Sequence, residues 1–264
     1  RSAAEENVVI IDKTTPQERV IGEIDLFAAP LMVHDEAIYM HGSRQYHVDK
    51  LDWERRKAYV HEVAVDHYTD AQLKSDLRVL DIIEEKTIGG QMAGYGEVSV
   101  TSVATMYKKI KFGTHENIGW GKINLPESTM HTAAFWYAFA ETIHEELGIP
   151  QQEFSDGLKA AANVLGHIAP LFIMSDPGDI AVLPMMRATL WHKPSIFIWE
   201  RYPGGVGHSA KLFQIYEEVA RAGMELVQSC GCQNGCPSCS GPALEVGETG
   251  KLHAVKVLQA MIAR

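Results

Sequence analysis

The feature of this sequence that most constrains its fold is a group of four cysteines within ten residues. They are all the cysteines of the 264-residue chain, and their spacing is Cys-x-Cys-x3-Cys-x2-Cys. Four thiolates this close together suit one tetrahedral metal ion, because each supplies negative charge and a soft sulfur donor to the same point. The candidate ligands are Cys230, Cys232, Cys236 and Cys239.

The residues between these cysteines predict a tight loop around the ion. Gly231, Gly235 and Pro237 allow the backbone to turn sharply. With four protein ligands no coordination position stays open for water, so the pattern favours structural zinc over a catalytic metal. Such a site can contribute about 10–16 kcal/mol to the folding of its segment.

Three other interpretations of the cysteines stay open at this point. Two disulfides could form in a secreted chain, although we recognise no signal peptide and there is no further cysteine. Redox chemistry could use Cys236 and Cys239, although thioredoxin-like motifs need one pair and not two. An iron–sulfur cluster also accepts four cysteines, and the sequence alone does not separate it from zinc.

Composition indicates an ordinary globular protein of one or two domains, with 46% hydrophobic residues and a net charge of −10. This charge argues against a surface coated with basic residues for nucleic acid, but it is compatible with a local basic stripe. No apolar run approaches the roughly 18 residues of a membrane span, and we expect a cytoplasmic protein. The polar start at Arg1 suggests a fragment cut from a longer chain.

Hydrophobic patterning predicts a mixed α+β fold in two parts. Residues 1–125 are expected to be β-rich, with a linker at residues 1–17 in which Val8–Ile11 form an edge strand or tether. Short β-branched and aromatic runs between Arg19 and Asp66 predict a meander or a small barrel. Residues 126–264 are expected to form an α/β layer that carries the four-cysteine zinc loop.

The elements predicted in this second part are helices and short strands in alternation. A helix is predicted over Ala133–Leu147, because Phe135, Phe139, Ile143 and Leu147 recur at intervals of four. Other helices are predicted at about 155–168, 210–227 and 250–262, and strands at 171–174, 180–183 and 195–200.

Three lysines in the alternating run Met106–Phe112 form the best local candidate for a phosphate contact in this acidic chain. They are Lys108, Lys109 and Lys111. The alternative interpretation is an edge strand that the lysines protect from aggregation.

A glycine loop between a predicted strand and a predicted helix contains Gly204, Gly205 and Gly207. This context is typical of dinucleotide-binding loops, and backbone N–H groups at the helix start could bind an anion. The expected second strand is missing, because the helix leads into the cysteines, so a tight strand-to-helix turn is the favoured interpretation. No Gly-x4-Gly-Lys-Ser/Thr loop is present, so we do not expect this chain to hydrolyse a nucleoside triphosphate by itself.

Carboxylates near strand ends raise an alternative function, a metal-dependent nuclease in which Asp176, Asp179 and Glu200 hold Mg²⁺. Acidic residues that cap turns are more common than such sites. His131, His144 and His167 are interpreted as hydrogen-bonded or surface residues. A protein-interaction module without DNA contact is a further alternative.

Two segments together resemble the zinc-binding C-terminal module of MrfA-type (YprA-like) superfamily-two DNA helicases. They are Ile198–Gly207, which is followed by an amphipathic helix, and Ser229–Pro242, which contains the cysteines. Three upstream stretches show a looser similarity to the β-rich part that precedes the module in that family: Val20–Asp25, Gly94–Thr101 and Tyr107–Ile110.

This resemblance implies a part of an ATP-dependent 3′-to-5′ DNA helicase that acts in DNA repair. Its motor domains and ATP site would lie N-terminal to Arg1, and no catalytic residue is implied here. The four cysteines would bind structural zinc. The chain would guide DNA, expected to be single-stranded, or hold the motor on it. The metal loop would fix the helix after Gly207 to the last helix, with bases stacked on exposed aromatic residues and phosphates at the lysines.

Overall fold

The structure of the protein, a computed structural model, describes residues 6–262, so the start of the predicted linker lies outside the described residues. The chain divides into two compact units. The first unit comprises the residues up to Asp76 together with Val100–Met130, and the second comprises Leu77–Ser99 and the residues from His131 onwards. The predicted mixed α+β fold is confirmed. The predicted boundary between residues 125 and 126 stays a prediction.

The first unit contains a five-stranded sheet and one short helix. Its elements are β1 (Asn7–Asp12), β2 (Arg19–Asp25), α1 (Ala29–Met32), β3 (Ile38–His41), β4 (Arg44–Asp52) and β5 (Lys57–Val63). The strand order is β2-β1-β5-β4-β3, in which β1 and β5 are parallel and the other neighbours are antiparallel. Alternating residues such as Val8, Ile10, Val48 and Val60 fill the core on one face.

The predicted edge strand or tether near the N-terminus is wrong. β1 pairs with β2 on one side and with β5 on the other, so it lies inside the sheet. Val8 and Ile10 have no exposed surface. Their β-branched side chains pack in the core, so this short run forms an inner strand although the residues on either side of it are polar.

Two long strands form a hairpin and contribute residues to both units. These strands are β6 (His67–Ile88) and β7 (Gln91–Lys111), and their turn at Gly89 and Gly90 uses positive φ angles that favour glycine. In the first unit β7 lies between β6 and β8 (Asn117–Lys122), so the alternative of a lysine-protected edge strand is wrong.

The second unit packs helices on a sheet whose strand order is β10-β11-β9-β7-β6. Its further elements are β9 (Ser128–Ala138, which begins in the first unit), α2 (Ile143–Glu146), α3 (Gln151–Ile173), β10 (Ile180–Met185), β11 (Ser195–Glu200), α4 (His208–Ser229), α5 (Ala243–Val246) and α6 (Gly250–Ala260). Gly157 of α3 and His253 of α6 approach so closely that a Cβ on Gly157 would lie 2.6 Å from the Cβ of His253. None of the described helices has both the length and the apolar character of a membrane span.

The predicted helix over residues 133–147 is wrong. Residues up to Ala138 belong to β9, which pairs with β11 and is buried on both faces, and only the four residues of α2 are helical. A strand buried on both faces has a continuous apolar run, and such a run resembles a buried helix. The predicted strand at residues 171–174 is also wrong, because α3 continues to Ile173 and ends at Met174 in the left-handed conformation.

Asp12 ends β1 as a buried carboxylate that accepts hydrogen bonds from Thr14 and from the guanidinium of Arg19. Burial acts to raise the pKa of this carboxyl, but the hydrogen bonds and the charge of Arg19 outweigh burial and hold the pKa below its ordinary value. The resulting stabilisation is therefore present above the unfolded-state pKa and is lost as the pH falls through the folded-state pKa.

We accordingly expect Asp12→Asn to lower the unfolding temperature at neutral pH. The difference from the parent protein should shrink as the pH falls below about 3.9, where the carboxyl of the unfolded chain takes up its proton. Paired thermal scans over this pH range measure the difference, and acid-induced loss of metal affects both proteins alike. A difference that stays constant with pH would contradict the role of Asp12.

Candidate metal centre

The four cysteines converge on one point in the loop between α4 and α5. The Sγ atom of Cys230 lies 3.5 Å from that of Cys232 and 3.7 Å from that of Cys236. The Sγ atom of Cys239 lies 3.5 Å from those of both Cys232 and Cys236. A tetrahedral ion with zinc–sulfur bonds of about 2.3 Å places its sulfurs about 3.8 Å apart. The thiols therefore enclose a site of the size that one zinc ion requires.

The sulfur distances also separate zinc from the other interpretations of the cysteines. A disulfide needs about 2.05 Å between sulfurs, and all four thiols are free. The four thiolates of an iron–sulfur cluster are divided among two or more irons, so the cluster would hold at least some of them farther apart than the sulfurs lie here. Cys236 and Cys239 are not an isolated redox pair, since each also contacts another cysteine of the group.

Backbone hydrogen bonds close the loop around the sulfurs. The N–H of Cys230 donates to Leu226 and ends α4, while the N–H groups of Cys239 and Gly241 both donate to the carbonyl of Cys236 at 3.0 Å. Gly235 has a φ of 110°, and a Cβ there would collide with the carbonyl oxygen of Gly241. Glycine at this position is therefore required by both conformation and space.

A lysine from α6 compensates the charge of the centre. Lys251 donates from Nζ to the carbonyls of Cys230 and Cys232 at 2.7 and 2.6 Å, and its Nζ lies 3.4 Å from Cys232 Sγ. Four thiolates around Zn²⁺ carry a net charge of about −2, so the ammonium group is favourably placed as an outer partner. Burial acts to raise the pKa of Cys239, but hydrogen bonds from Ser240 and neighbouring groups stabilise the thiolate and lower the pKa to about 6.

A third helix holds the loop through Asn163 of α3. Its Nδ2 donates to the carbonyl of Ser240 at 3.1 Å, and a Cβ on Gly241 would lie 2.6 Å from that Nδ2. The loop is thus tied to α4 by the backbone, to α6 by Lys251 and to α3 by Asn163. Sequence reasoning missed Lys251 and Asn163, because each lies far from the cysteines along the chain and no local pattern distinguishes it.

The glycine loop after β11 is organised by a carboxylate of the protein itself. Glu200 is only 1% exposed, and its two oxygens accept hydrogen bonds from the N–H groups of Val206 and Ser209 and from the hydroxyl of Ser209. Gly204, Gly205 and Gly207 all have positive φ angles, which supports the predicted tight turn. Since Glu200 already accepts from the N–H groups of Val206 and Ser209 at the start of α4, this geometry gives no support to binding of an external anion.

The other candidate nuclease residues also have local structural roles. Asp176 and Asp179 cap each other across a short turn, and the hydroxyl of Tyr202 donates to Asp179. Within residues 6–262, metal-ligand groups of three or more are found at the cysteines and at one histidine–aspartate cluster, and Asp176, Asp179 and Glu200 are in neither. Among the histidines, His131 lies in β9 and not on a helix.

The lysines of β7 do not share one face. Side chains alternate along a strand, so Lys108 points to the face opposite that of Lys109 and Lys111. Lys108 is paired directly with Trp120 of β8, and the indole of Trp120 is 63% exposed. Lys122 of β8 is exposed on the same face as Trp120. We call Lys108, Trp120 and Lys122 the β7–β8 patch.

Comparison with known proteins begins with the sequence around the cysteines. Residues 161–240 match the family described as "MZB: MrfA Zn-binding domain". The chain is 42% identical over 262 residues to "Uncharacterized ATP-dependent helicase YprA" of Bacillus subtilis (strain 168), and the match covers 99% of this chain and 34% of that protein. It is 22% identical over 257 residues to "ATP-dependent helicase hrq1" of Schizosaccharomyces pombe, covering 90% of this chain and 24% of that protein.

Solved structures agree with these sequence relatives. The chain matches "DUF1998 helicase MrfA bound to DNA" with a TM-score of 0.65 at 41% identity, over 99% of this chain and 34% of that one. It matches "DUF1998 helicase MrfA" with a TM-score of 0.70 at 36% identity, over 97% of this chain and 35% of that one.

The fold and the four-thiol site together define the class of this protein: it contains a zinc-binding domain of the kind found in MrfA-type helicases. Residues 161–240 contain the MrfA zinc-binding domain, and the whole chain is similar to the corresponding part of MrfA/YprA-type helicases. It spans about a third of the length of the YprA and MrfA proteins that it matches.

Proposed function

We propose that this chain is the accessory zinc-binding region of an ATP-dependent DNA helicase, with the motor domains on its N-terminal side. The observation that carries this proposal is the four-thiol centre, which is tied to α3, α4 and α6 within a chain that is similar to MrfA/YprA-type helicases. DNA repair, 3′-to-5′ polarity and a cytoplasmic location remain predictions that follow from the family resemblance.

The role of the zinc in this proposal is structural. A bound Zn²⁺ would neutralise part of the thiolate charge and hold four ligands at fixed distances. Cys230 continues directly from α4, Lys251 fixes the loop to α6, and Asn163 fixes it to α3. The loop therefore acts as a clamp that holds the C-terminal end of α4, the start of α6 and the middle of α3 in register.

DNA contact is proposed at the β7–β8 patch, with single-stranded DNA as the expected ligand. An exposed indole offers a π-face on which any base can stack, and lysines on both sides of it meet phosphates. Lys108 lies directly opposite Trp120, so one nucleotide could contact both side chains. The DNA in the MrfA crystal structure supports a DNA role for proteins of this type.

For this patch we expect Trp120→Ala to weaken binding of a single-stranded oligonucleotide by about 1–3 kcal/mol, because one stacked base is lost. Lys108→Ala should weaken binding and also make the salt dependence shallower, by about 0.7 in the log–log slope for each phosphate contact removed. Fluorescence anisotropy at several salt concentrations measures both quantities on the full chain.

The matched control is Lys57→Ala, which removes an exposed lysine at the start of β5 in the same unit. Its salt slope and affinity should equal those of the parent protein. If Lys108→Ala and Trp120→Ala bound the oligonucleotide with the affinity and salt dependence of the parent chain, the β7–β8 patch would not be the DNA contact. Absence of any binding by the parent chain would favour the alternative of a protein-interaction module.

A further inference from the structure

Two histidines face each other on the outer surface of the first unit. β4 and β5 are antiparallel, and their register places His47 directly opposite His61. Their ring centroids are 5.2 Å apart. The next residues along the strands, Val48 and Val60, are fully buried, so the alternation of side chains directs both imidazoles away from the core.

An irregularity in β4 brings a carboxylate between the two rings. The pairing of β4 with β5 shifts between Val48 and Lys50, so Asp49 is an extra residue at this point of the strand. Its Oδ1 lies 3.3 Å from His47 Nδ1 and 2.8 Å from His61 Nδ1. One ligand atom from each of the three residues lies within 4.8 Å of the others.

These donors have the chemistry of a transition-metal site. Imidazole nitrogens and a carboxylate oxygen bind Zn²⁺ at about 2.0–2.2 Å, and a tetrahedral ion spaces such ligands about 3.4 Å apart. The distances from Asp49 to the two rings are close to this value, so small side-chain movements suffice to admit an ion. Three protein ligands leave the fourth position to water or to an external ligand.

A second carboxylate, that of Glu36, lies next to the ring nitrogen of His47 that would not bind the ion. Glu36 Oε2 lies 3.4 Å from Nε2 of His47, on the side of the ring away from Asp49. Metal-ligating histidines commonly donate their other N–H to a carboxylate, which fixes the tautomer and leaves the opposite nitrogen free to bind the ion. Glu36 would thus keep the Nδ1 lone pair of His47 directed at the ion.

We infer that His47, Asp49 and His61 form a second metal site, which takes one divalent transition-metal ion of the Zn²⁺ type. The site lies in the first unit, uses nitrogen and oxygen donors instead of sulfur, and is open to solvent. Its ion bridges the pair of strands β4 and β5. The inference stands independently of the proposed DNA role, because it uses only the geometry of these residues.

The test is a count of zinc per chain at equilibrium, with the cysteine site loaded throughout. Equilibrium dialysis against Zn²⁺ followed by elemental analysis should find two equivalents in the parent chain. It should find one equivalent in His61→Gln and in Asp49→Asn. Glu36→Gln should keep both sites but weaken the second by about 10–100-fold, as expected for an outer partner.

The matched control is His115→Asn, which removes an exposed histidine of the same unit. Asparagine suits this position because His115 has a positive φ of 55°. Two equivalents in this variant exclude a general effect of losing any histidine. One equivalent in the parent chain overturns the inference, as does a second equivalent that persists in both His61→Gln and Asp49→Asn. Circular dichroism checks that each variant is folded. If either His61→Gln or Asp49→Asn is misfolded, the zinc count of the other variant tests the inference.

Discussion

Replacement of Cys236 by serine should release the zinc and lower the free energy of unfolding of the second unit by at least about 4 kcal/mol. The serine hydroxyl does not replace a thiolate ligand, and the three remaining thiols would take up protons instead of holding the ion, because thiolates this close repel one another. The loop has little apolar surface of its own to keep it folded, since most residues from Gly231 to Ser238 are exposed. Elemental analysis and denaturant unfolding of the parent and variant chains measure the two effects.

A close control for this substitution lies two residues away. Ser238 is exposed, and its side chain is not a ligand, so Ser238→Ala should keep both the zinc and the stability of the parent chain. A chelator should reproduce the Cys236→Ser phenotype in the parent chain. If Cys236→Ser retained as much zinc as the parent chain and unfolded at the parent's denaturant concentration, the four-thiol centre would not be the clamp described above.

The second large effect is expected from Glu200, the buried carboxylate at the end of β11. Glu200→Ala removes the acceptor for the N–H groups of Val206 and Ser209 and leaves them without a partner inside the protein. Loss of charged hydrogen bonds, together with the cost of leaving the buried N–H and hydroxyl of Ser209 unpaired, should lower stability by about 3–4 kcal/mol. Urea unfolding measures this loss.

Glu200→Gln serves as the graded control, because it retains one carbonyl oxygen and the size of the side chain. Its amide group would oppose one of the donors, so we expect a stability between those of the parent chain and Glu200→Ala. Equal stability of all three proteins would show that the glycine loop holds its conformation without this carboxylate.

How much of this centre could be predicted depends on the distance between its parts along the chain. The four thiols lie within ten residues, so their meeting is dictated by local geometry, and the structure brings them together. β11 and α4 could also be predicted, because their hydrophobic patterns and lengths are those of a buried strand and an amphipathic helix. Lys251 and Asn163 could not be predicted, because only the packing of α3, α4 and α6 brings them to the loop.

The prediction over residues 133–147 failed for a different physical reason. Phe135 and Phe139 have the spacing of a helix face, but the residues between them are equally buried, so the run carries no periodic signal that separates helix from strand. Pairing of β9 with β11 decides the conformation, and that contact joins residues about 60 positions apart.

The His47, Asp49 and His61 cluster was also beyond sequence reasoning. Its donors meet only through the register of β4 with β5 and through the irregularity at Asp49. A shift of one residue in that register would turn one histidine toward the core. The site therefore depends on long-range pairing, and no local sequence pattern predicts it.

The long hairpin has a consequence for any attempt to divide this protein. A polypeptide that starts at residue 126 would lack Leu77–Ser99, and with it Ala93 and Tyr95, which pack in the core of the second unit. Neither unit is continuous along the chain, so no single cleavage yields either one intact. Gene truncations and limited proteolysis should therefore damage both units together. A protein that acquired this region by recombination would have to acquire both units as one piece.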